Sequence, residues 1–78
     1  MLWGVTVEAG GATAEVVEAA RRELERFKGG AEVDGDRLLV NFQVEAPSAK
    51  RAARVAVVIF GRVAGQIEPG RFELERLG

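Results

Sequence analysis

The segment that most constrains the fold is Arg37–Glu45, in which apolar residues alternate with mixed ones. Its apolar positions, at a spacing of two, are Leu38, Val40, Phe42 and Val44. This spacing is typical of a strand that buries one side only. An Asp34-Gly35 pair before the segment favours a hairpin turn, and Pro47-Ser48 after it favours the start of a helix. The segment is therefore predicted to be the central strand of a sheet.

Three other segments are also predicted to be strands. Leu2–Glu8 places Trp3 on the same side as its two valines, and Arg71–Leu77 carries two apolar residues on its inner side. Ala31–Val33 is a short strand that enters the Asp-Gly turn. Ahead of the last strand, Gln66–Gly70 is predicted to be a loop with a Pro-Gly turn.

Two helices are predicted between the strands. Thr13 is the expected N-cap of the first, which runs to about Lys28 and ends at Gly29-Gly30, where a left-handed residue is expected. The second helix begins after Ser48 and stops near Gly65. Its inner stripe, at helical spacing, is Ala52, Val55, Ala56, Ile59 and Val63.

The predicted element order is strand, helix, strand, strand, helix, strand. Right-handed crossovers place both helices on one face of the sheet and put the first and third strands in its middle. The chain is thus predicted to be a single α+β domain, residues 1–78, with a ferredoxin-like two-layer sandwich and a four-stranded antiparallel sheet. A domain this small buries only about 60% of its unfolded surface, so oligomerisation is an expected supplement to its stability.

The composition excludes several kinds of functional site. The chain has no cysteine and no histidine, which rules out disulfides, thiolate metal sites and imidazole ligands. No metal and no cofactor are therefore predicted. It also has no tyrosine, and its single serine, Ser48, is assigned to a helix cap, so we do not expect an enzyme. Asp34 and Asp36 flank a turn glycine and lack the further ligands of a calcium loop.

Charge and hydropathy predict a cytoplasmic protein. The longest apolar run, Val55–Phe60, is far shorter than the roughly 20 residues that a membrane-spanning helix needs, and the first residues do not form a basic-then-apolar leader. The formal net charge of −1 gives no overall attraction to nucleic acid or to an anionic membrane. No membrane contact is predicted, and nucleic-acid binding would need a local cationic patch.

The sheet face opposite the helices, here called the open face, is the first candidate site. RNA-recognition domains of this topology stack bases on aromatic residues of the two central strands, but the parity of Trp3 and Phe42 places both rings under the helices. The centre of the open face is predicted to be uncharged, and its candidate interface residues are Leu2, Thr6, Leu39, Asn41 and Gln43. Glutamates at its ends and edges are Glu8, Glu32, Glu45, Glu73 and Glu75. An uncharged centre with a charged rim is typical of a homodimer interface, although a polar sheet face in water has the same pattern.

The outer side of the second helix is the next candidate. Lys50, Arg51 and Arg54 crowd its first turns, where the helix dipole favours anions. Val57, Val58 and Gly61 follow where polar residues would be expected, and the glycine would let another helix approach closely. These residues predict either a docking surface for an acidic or apolar partner, or a solvated helix end beside partly covered valines.

The turn at Gly10-Gly11 is the last candidate, because backbone amides at a helix start can receive an anion. Regulatory amino-acid-binding domains of this topology also place a glycine here, so the turn resembles theirs at this position. That resemblance implies a small-molecule ligand. The residues themselves contain no P-loop or dinucleotide-binding pattern and are equally consistent with a plain connection.

These observations lead to one principal hypothesis and two alternatives. The principal one is a small non-enzymatic protein-interaction or homodimerisation module that uses the open face or the second helix. The first alternative is a regulatory domain that binds a small ligand or anion through Gly10-Gly11 or through Lys50, Arg51 and Arg54. The second is nucleic-acid binding through the same basic helix start, which requires salt-sensitive affinity.

Overall fold

The computed structural model describes the whole chain except Gln66 and Glu68. The strands are β1 (Leu2–Ala9), β2 (Gly30–Asp34), β3 (Arg37–Glu45) and β4 (Pro69–Arg76). The helices are α1 (Ala14–Leu24), which continues into a 3-10 turn (Glu25–Phe27), and α2 (Ala49–Ala64). This is the predicted order of elements.

All neighbouring strands pair antiparallel, and their order across the sheet is β2-β3-β1-β4. Helix α1 packs mainly on β2, whereas α2 packs on β1, β3 and β4. The predicted ferredoxin-like sandwich is therefore confirmed, with β2 and β4 as the sheet edges. Within residues 1–65, 67 and 69–78, no helix has both the length and the apolarity to cross a membrane.

The core lies between the sheet and the helices, as strand parity predicts. Phe42 is only 2% exposed, and the partly buried Trp3 packs against the core while its indole Nε1–H donates to the Ala46 carbonyl at 3.0 Å. Both rings are thus on the helix side of the sheet. Phe60, outside the predicted stripe of α2, is also buried and packs edge-on against Phe72 with ring centroids 6.0 Å apart.

The end of α1 differs from the prediction. Lys28 takes the left-handed conformation (φ 53°), and Gly29 does not. Gly29 is required for another reason, since a Cβ built there would collide with the carbonyl oxygen of Asn41 and lie 2.8 Å from the Cβ of Phe42. The glycine lets the chain cross close over β3 before β2 begins.

The start of β4 also differs from the prediction. Pro69 and Gly70, expected in a turn, belong to the strand, and a register shift between Glu8 and Ala9 of β1 accommodates them. The first part of the predicted loop includes Gln66 and Glu68, which lie outside the described residues.

Candidate interaction surface

The open face is mainly polar at its centre. Thr6 lies between Asn41 and Glu73 in the sheet register, and Gly4 lies between Gln43 and Glu75. A hollow of about 520 Å³ lies over these rows. Thr6 and Asn41 are exposed in it.

The apolar residues of the open face differ in exposure, and Leu77 is the most exposed at 45%. Leu2 and Leu39 are half-buried, and the side chain of Leu77 lies over Gly4, where a built Cβ would be 3.3 Å from Leu77 Cδ1. The structure therefore brings the predicted residues Leu2, Thr6, Leu39, Asn41 and Gln43 onto one face, but it leaves no continuous apolar area among them.

The rim of the open face is less acidic than its glutamates alone suggest. Glu8 pairs with Arg37 at 3.3 Å, and Glu73 pairs with Arg71 at 2.9 Å. The terminal ammonium group of Met1 forms an ion pair with Glu45 Oε1 at 2.9 Å. These exposed pairs contribute little stability, but they offset the negative charge next to three of the five rim carboxylates.

The outer surface of α2 carries the most exposed large apolar side chains of the described residues. Val57 is 55% exposed and Val58 is 59% exposed. The sequence analysis grouped both with Gly61, but the structure separates them. Val57 and Gly61 face β4, whereas Val58 faces α1, near Phe27.

The apolar hollow between α2 and β4, here called the α2–β4 groove, has a volume of about 210 Å³. Side chains from both elements and the segment between them line it, and they include Val57, Phe60, Ala64, Ile67 and Phe72. A Cβ built at Gly61 would meet no atom within 4 Å, so the groove is open at this point. The series Ala52, Ala56, Phe60 at a spacing of four was the sequence signal that Phe60 belongs inside; Ile67 had no such signal.

The basic start of α2 is a solvated cluster. Lys50, Arg51 and Arg54 are all exposed, and none forms an ion pair with a carboxylate of the described residues. The backbone N–H of Arg51 donates to Ser48 Oγ at 3.2 Å, which confirms the predicted cap. The three cations lie near one another on the first turns of α2.

Two amides that follow the Gly10-Gly11 turn already have acceptors within the chain. Gly11 is left-handed (φ 77°), and the next amide, that of Ala12, donates to the carbonyl of Asp36 at 2.8 Å. Thr13 Oγ1 accepts from the N–H of Val16 at 3.2 Å, as expected of an N-cap. The turn is therefore tied to the β2–β3 hairpin, and two of the amides that an anion would use already have acceptors.

Comparison with known proteins supports the fold alone. No protein-family model and no curated protein matches this chain. The crystal structure of a formyltetrahydrofolate deformylase from Pseudomonas putida KT2440 is similar, with a TM-score of 0.52 and 14% sequence identity. The match covers 99% of this chain and 29% of the deformylase chain. The chain thus spans less than a third of this neighbour and shares its fold over that length.

Proposed function

We propose that this domain is a non-enzymatic protein-interaction module whose binding surface is the α2–β4 groove. The observation that carries the proposal is the position of Val57, which is 55% exposed at the lip of an apolar groove. Full burial of a valine side chain contributes roughly 1.5–3 kcal/mol. A partner that covers this surface therefore gains free energy that the isolated domain does not.

The α2–β4 groove is better suited to a protein partner than the other candidate surfaces are. The centre of the open face is polar, with Thr6 and Asn41 exposed, and Leu2 and Leu39 are half-buried. The basic cluster of α2 is exposed, and the Ala12 amide next to the Gly10-Gly11 turn already donates to the Asp36 carbonyl. The centre of a protein interface is usually apolar and poor in charge, and the groove meets this description.

The experiment compares two glutamate substitutions on opposite sides of α2. Val57→Glu puts a charge into the groove, where a partner would leave it buried and unpaired, so association should weaken about tenfold or more. Val58→Glu is the matched control, because Val58 has nearly the same exposure but faces α1. Native mass spectrometry of the untagged proteins, whose chain mass is 8.4 kDa, reports both self-association and any co-purifying polypeptide.

The proposal predicts complexes for the natural chain and for Val58→Glu, and monomer for Val57→Glu. Leu39→Lys tests the open face in the same measurement, and we expect it to leave association unchanged. A natural chain that is monomeric at all concentrations, or equal behaviour of the two valine variants, would contradict the proposal. Loss of association in Leu39→Lys alone would assign the interface to the open face instead.

A second candidate function is small-ligand binding in the hollow of the open face. Two observations favour it: the hollow has hydroxyl and amide groups from Thr6, Asn41 and Gln43, and Lys28 and Glu73 lie at its border. The similar deformylase is named for formyltetrahydrofolate, so folates are suitable probes. Free amino acids are a second set of probes, because the Gly10-Gly11 turn resembles that of amino-acid-binding domains. A ligand that binds only the folded state must raise the unfolding temperature. An unchanged midpoint across this panel would exclude the tested compounds.

A further inference from the structure

We propose that the partner in the α2–β4 groove is a second copy of this chain, added by antiparallel pairing of β4 with β4 and centred on Phe72. This inference rests on the proposed function, since it names the occupant of the same groove. The product is a continuous eight-stranded sheet in which the two α2 helices lie on the same side, across a two-fold axis. Three features of the described residues support it.

The first feature is the direction of the backbone groups of β4. The N–H of Leu77 donates to the carbonyl of Leu2 at 2.8 Å, and the register continues without a break to the pair of Glu8 and Arg71. Hydrogen-bonded and non-bonded pairs alternate in an antiparallel ladder, so the odd-numbered residues of β4 bond to β1. The N–H and C=O groups of Phe72 and Leu74 therefore point away from β1, towards the outer side of this edge strand.

The β1–β3 ladder supports the same alternation. The N–H of Ala46 donates to the carbonyl of Met1 at 2.9 Å, so odd-numbered residues of β1 bond to β3 and even-numbered ones bond to β4. No side chain of the described residues donates to or accepts from the backbone of Phe72 or Leu74. The β4 edge is thus open for another strand.

The second feature is that the opposite edge is short and partly blocked. By the same alternation Ala31 directs its backbone groups away from β3, and Arg21 Nε–H donates to the Ala31 carbonyl at 3.0 Å. The edge strand β2 has only five residues, and α1 packs against it. Short edge strands and covering side chains are devices that prevent strand addition. The eight-residue β4 edge is therefore the longer of the two and the more accessible to another strand.

The third feature is charge complementarity within β4 itself. When two copies pair antiparallel about Phe72, Arg71 lies opposite Glu73 of the second copy, and the reverse pair follows by symmetry. A shift of the register by two residues puts Glu73 opposite its own copy, and a shift by four puts Glu73 opposite Glu75. Like charges directly opposite are destabilising, so the pairing about Phe72 is selected.

The same pairing covers the α2–β4 groove. Phe72 lies on the helix side of β4, packed against Phe60. In the dimer, the Phe72 ring of the second copy lies beside the Phe72 ring of the first, inside the α2–β4 groove. The groove is open there because of Gly61, and Val57 lies at its border. The same arrangement thus gives the outward backbone groups of β4 hydrogen-bond partners and buries the exposed side chain of Val57.

Hydrogen exchange measured by NMR tests the strand pairing directly. The Phe72 amide should exchange at least about tenfold more slowly at high protein concentration than at low concentration. In the dimer this N–H is buried and donates a hydrogen bond to β4 of the second copy. The amides of Glu73 and Glu75 point into the sheet and are the matched controls, with protection that does not depend on concentration. Equal exchange of the Phe72 amide at both concentrations would overturn the inference.

A pair of charge variants tests the register. Arg71→Glu and Glu73→Arg each make the two facing pairs repulsive, so each variant alone should dimerise about tenfold more weakly than the natural chain. An equimolar mixture restores opposite charges at both positions, and we expect heterodimers with near-natural affinity. Failure of the mixture to associate would overturn the register.

The outcomes separate this inference from the proposed function. If Val57→Glu and Val58→Glu behave alike, the groove is not the binding surface and both proposals fail. If Val57→Glu alone abolishes association while the Phe72 amide stays unprotected, the groove binds a partner by another geometry. In that case the proposed function stands and the strand pairing is wrong.

Discussion

Replacing Gly29 with alanine is expected to lower the free energy of unfolding by about 3 kcal/mol, near the upper end of the usual cost of overpacking. The reason is the crossing of the chain over β3. A Cβ at this position collides with the carbonyl oxygen of Asn41, a backbone atom that cannot rotate away, and lies 2.8 Å from the Cβ of Phe42. The link before β2 would have to move away from the sheet.

The neighbouring glycine provides the control for this prediction. A Cβ at Gly30 has as its nearest neighbour Asn41 Oδ1, at 4.0 Å, and Gly30 does not have a positive φ. Gly30→Ala should therefore be neutral or slightly stabilising, since alanine restricts the unfolded chain more than glycine does. Urea unfolding followed by circular dichroism measures both variants. Equal free energies of unfolding for the two variants would show that the close approach at Gly29 does not affect stability.

Replacing Phe42 with alanine is expected to cost about 4 kcal/mol, in the range measured for phenylalanine removed from a packed core. Phe42 is 2% exposed, and its ring packs at a tilt against Phe27 with centroids 6.5 Å apart. Small domains have total stabilities near the low end of 5–15 kcal/mol. Most of the free energy of unfolding would be lost, and the variant should be largely unfolded in mild denaturant.

Asn41→Ala is the matched control on the other side of the same strand. Asn41 is exposed on the open face, so its loss should change the unfolding free energy by less than about 0.5 kcal/mol. Thermal unfolding of the two variants compares adjacent positions on opposite sides of β3. A larger cost at Asn41 than at Phe42 would invert the assignment of the two faces.

The fold was predictable because strand parity and helix periodicity are local properties of the sequence. Successive side chains of Arg37–Glu45 point to opposite sides, so the side that holds Phe42 had to be the core. The same reasoning placed Trp3 beneath the helices. The handedness rule for crossovers then allowed only one arrangement of the sheet, which the structure confirms.

The close approach at Gly29 was not predictable, because it depends on how two distant segments meet. The sequence shows two glycines after a helix, a pattern that normally marks a left-handed cap. The structure gives that conformation to Lys28 and uses Gly29 for clearance over β3. A contact with a strand twelve residues away in the sequence leaves no local signal.

The candidate site was predictable only in part. The sequence identified Val57, Val58 and Gly61 as unusual for an outer helix surface, and Val57 and Gly61 do lie together in the α2–β4 groove. It could not separate Val58 from them, because that depends on the rotation of α2 relative to α1 and β4. The openness of the β4 edge likewise depends on the hydrogen-bond alternation of the assembled sheet.

The contact between Arg21 and the carbonyl of Ala31 sets a limit on how far such an assembly can grow. Polymerisation of a sheet into fibres requires every molecule to have two unpaired edge strands, one for each neighbour. In the proposed dimer both β4 strands are paired, so further growth would have to use β2, which has five residues and whose Ala31 carbonyl already accepts from Arg21. The proposal therefore predicts that assembly along the sheet stops at two chains.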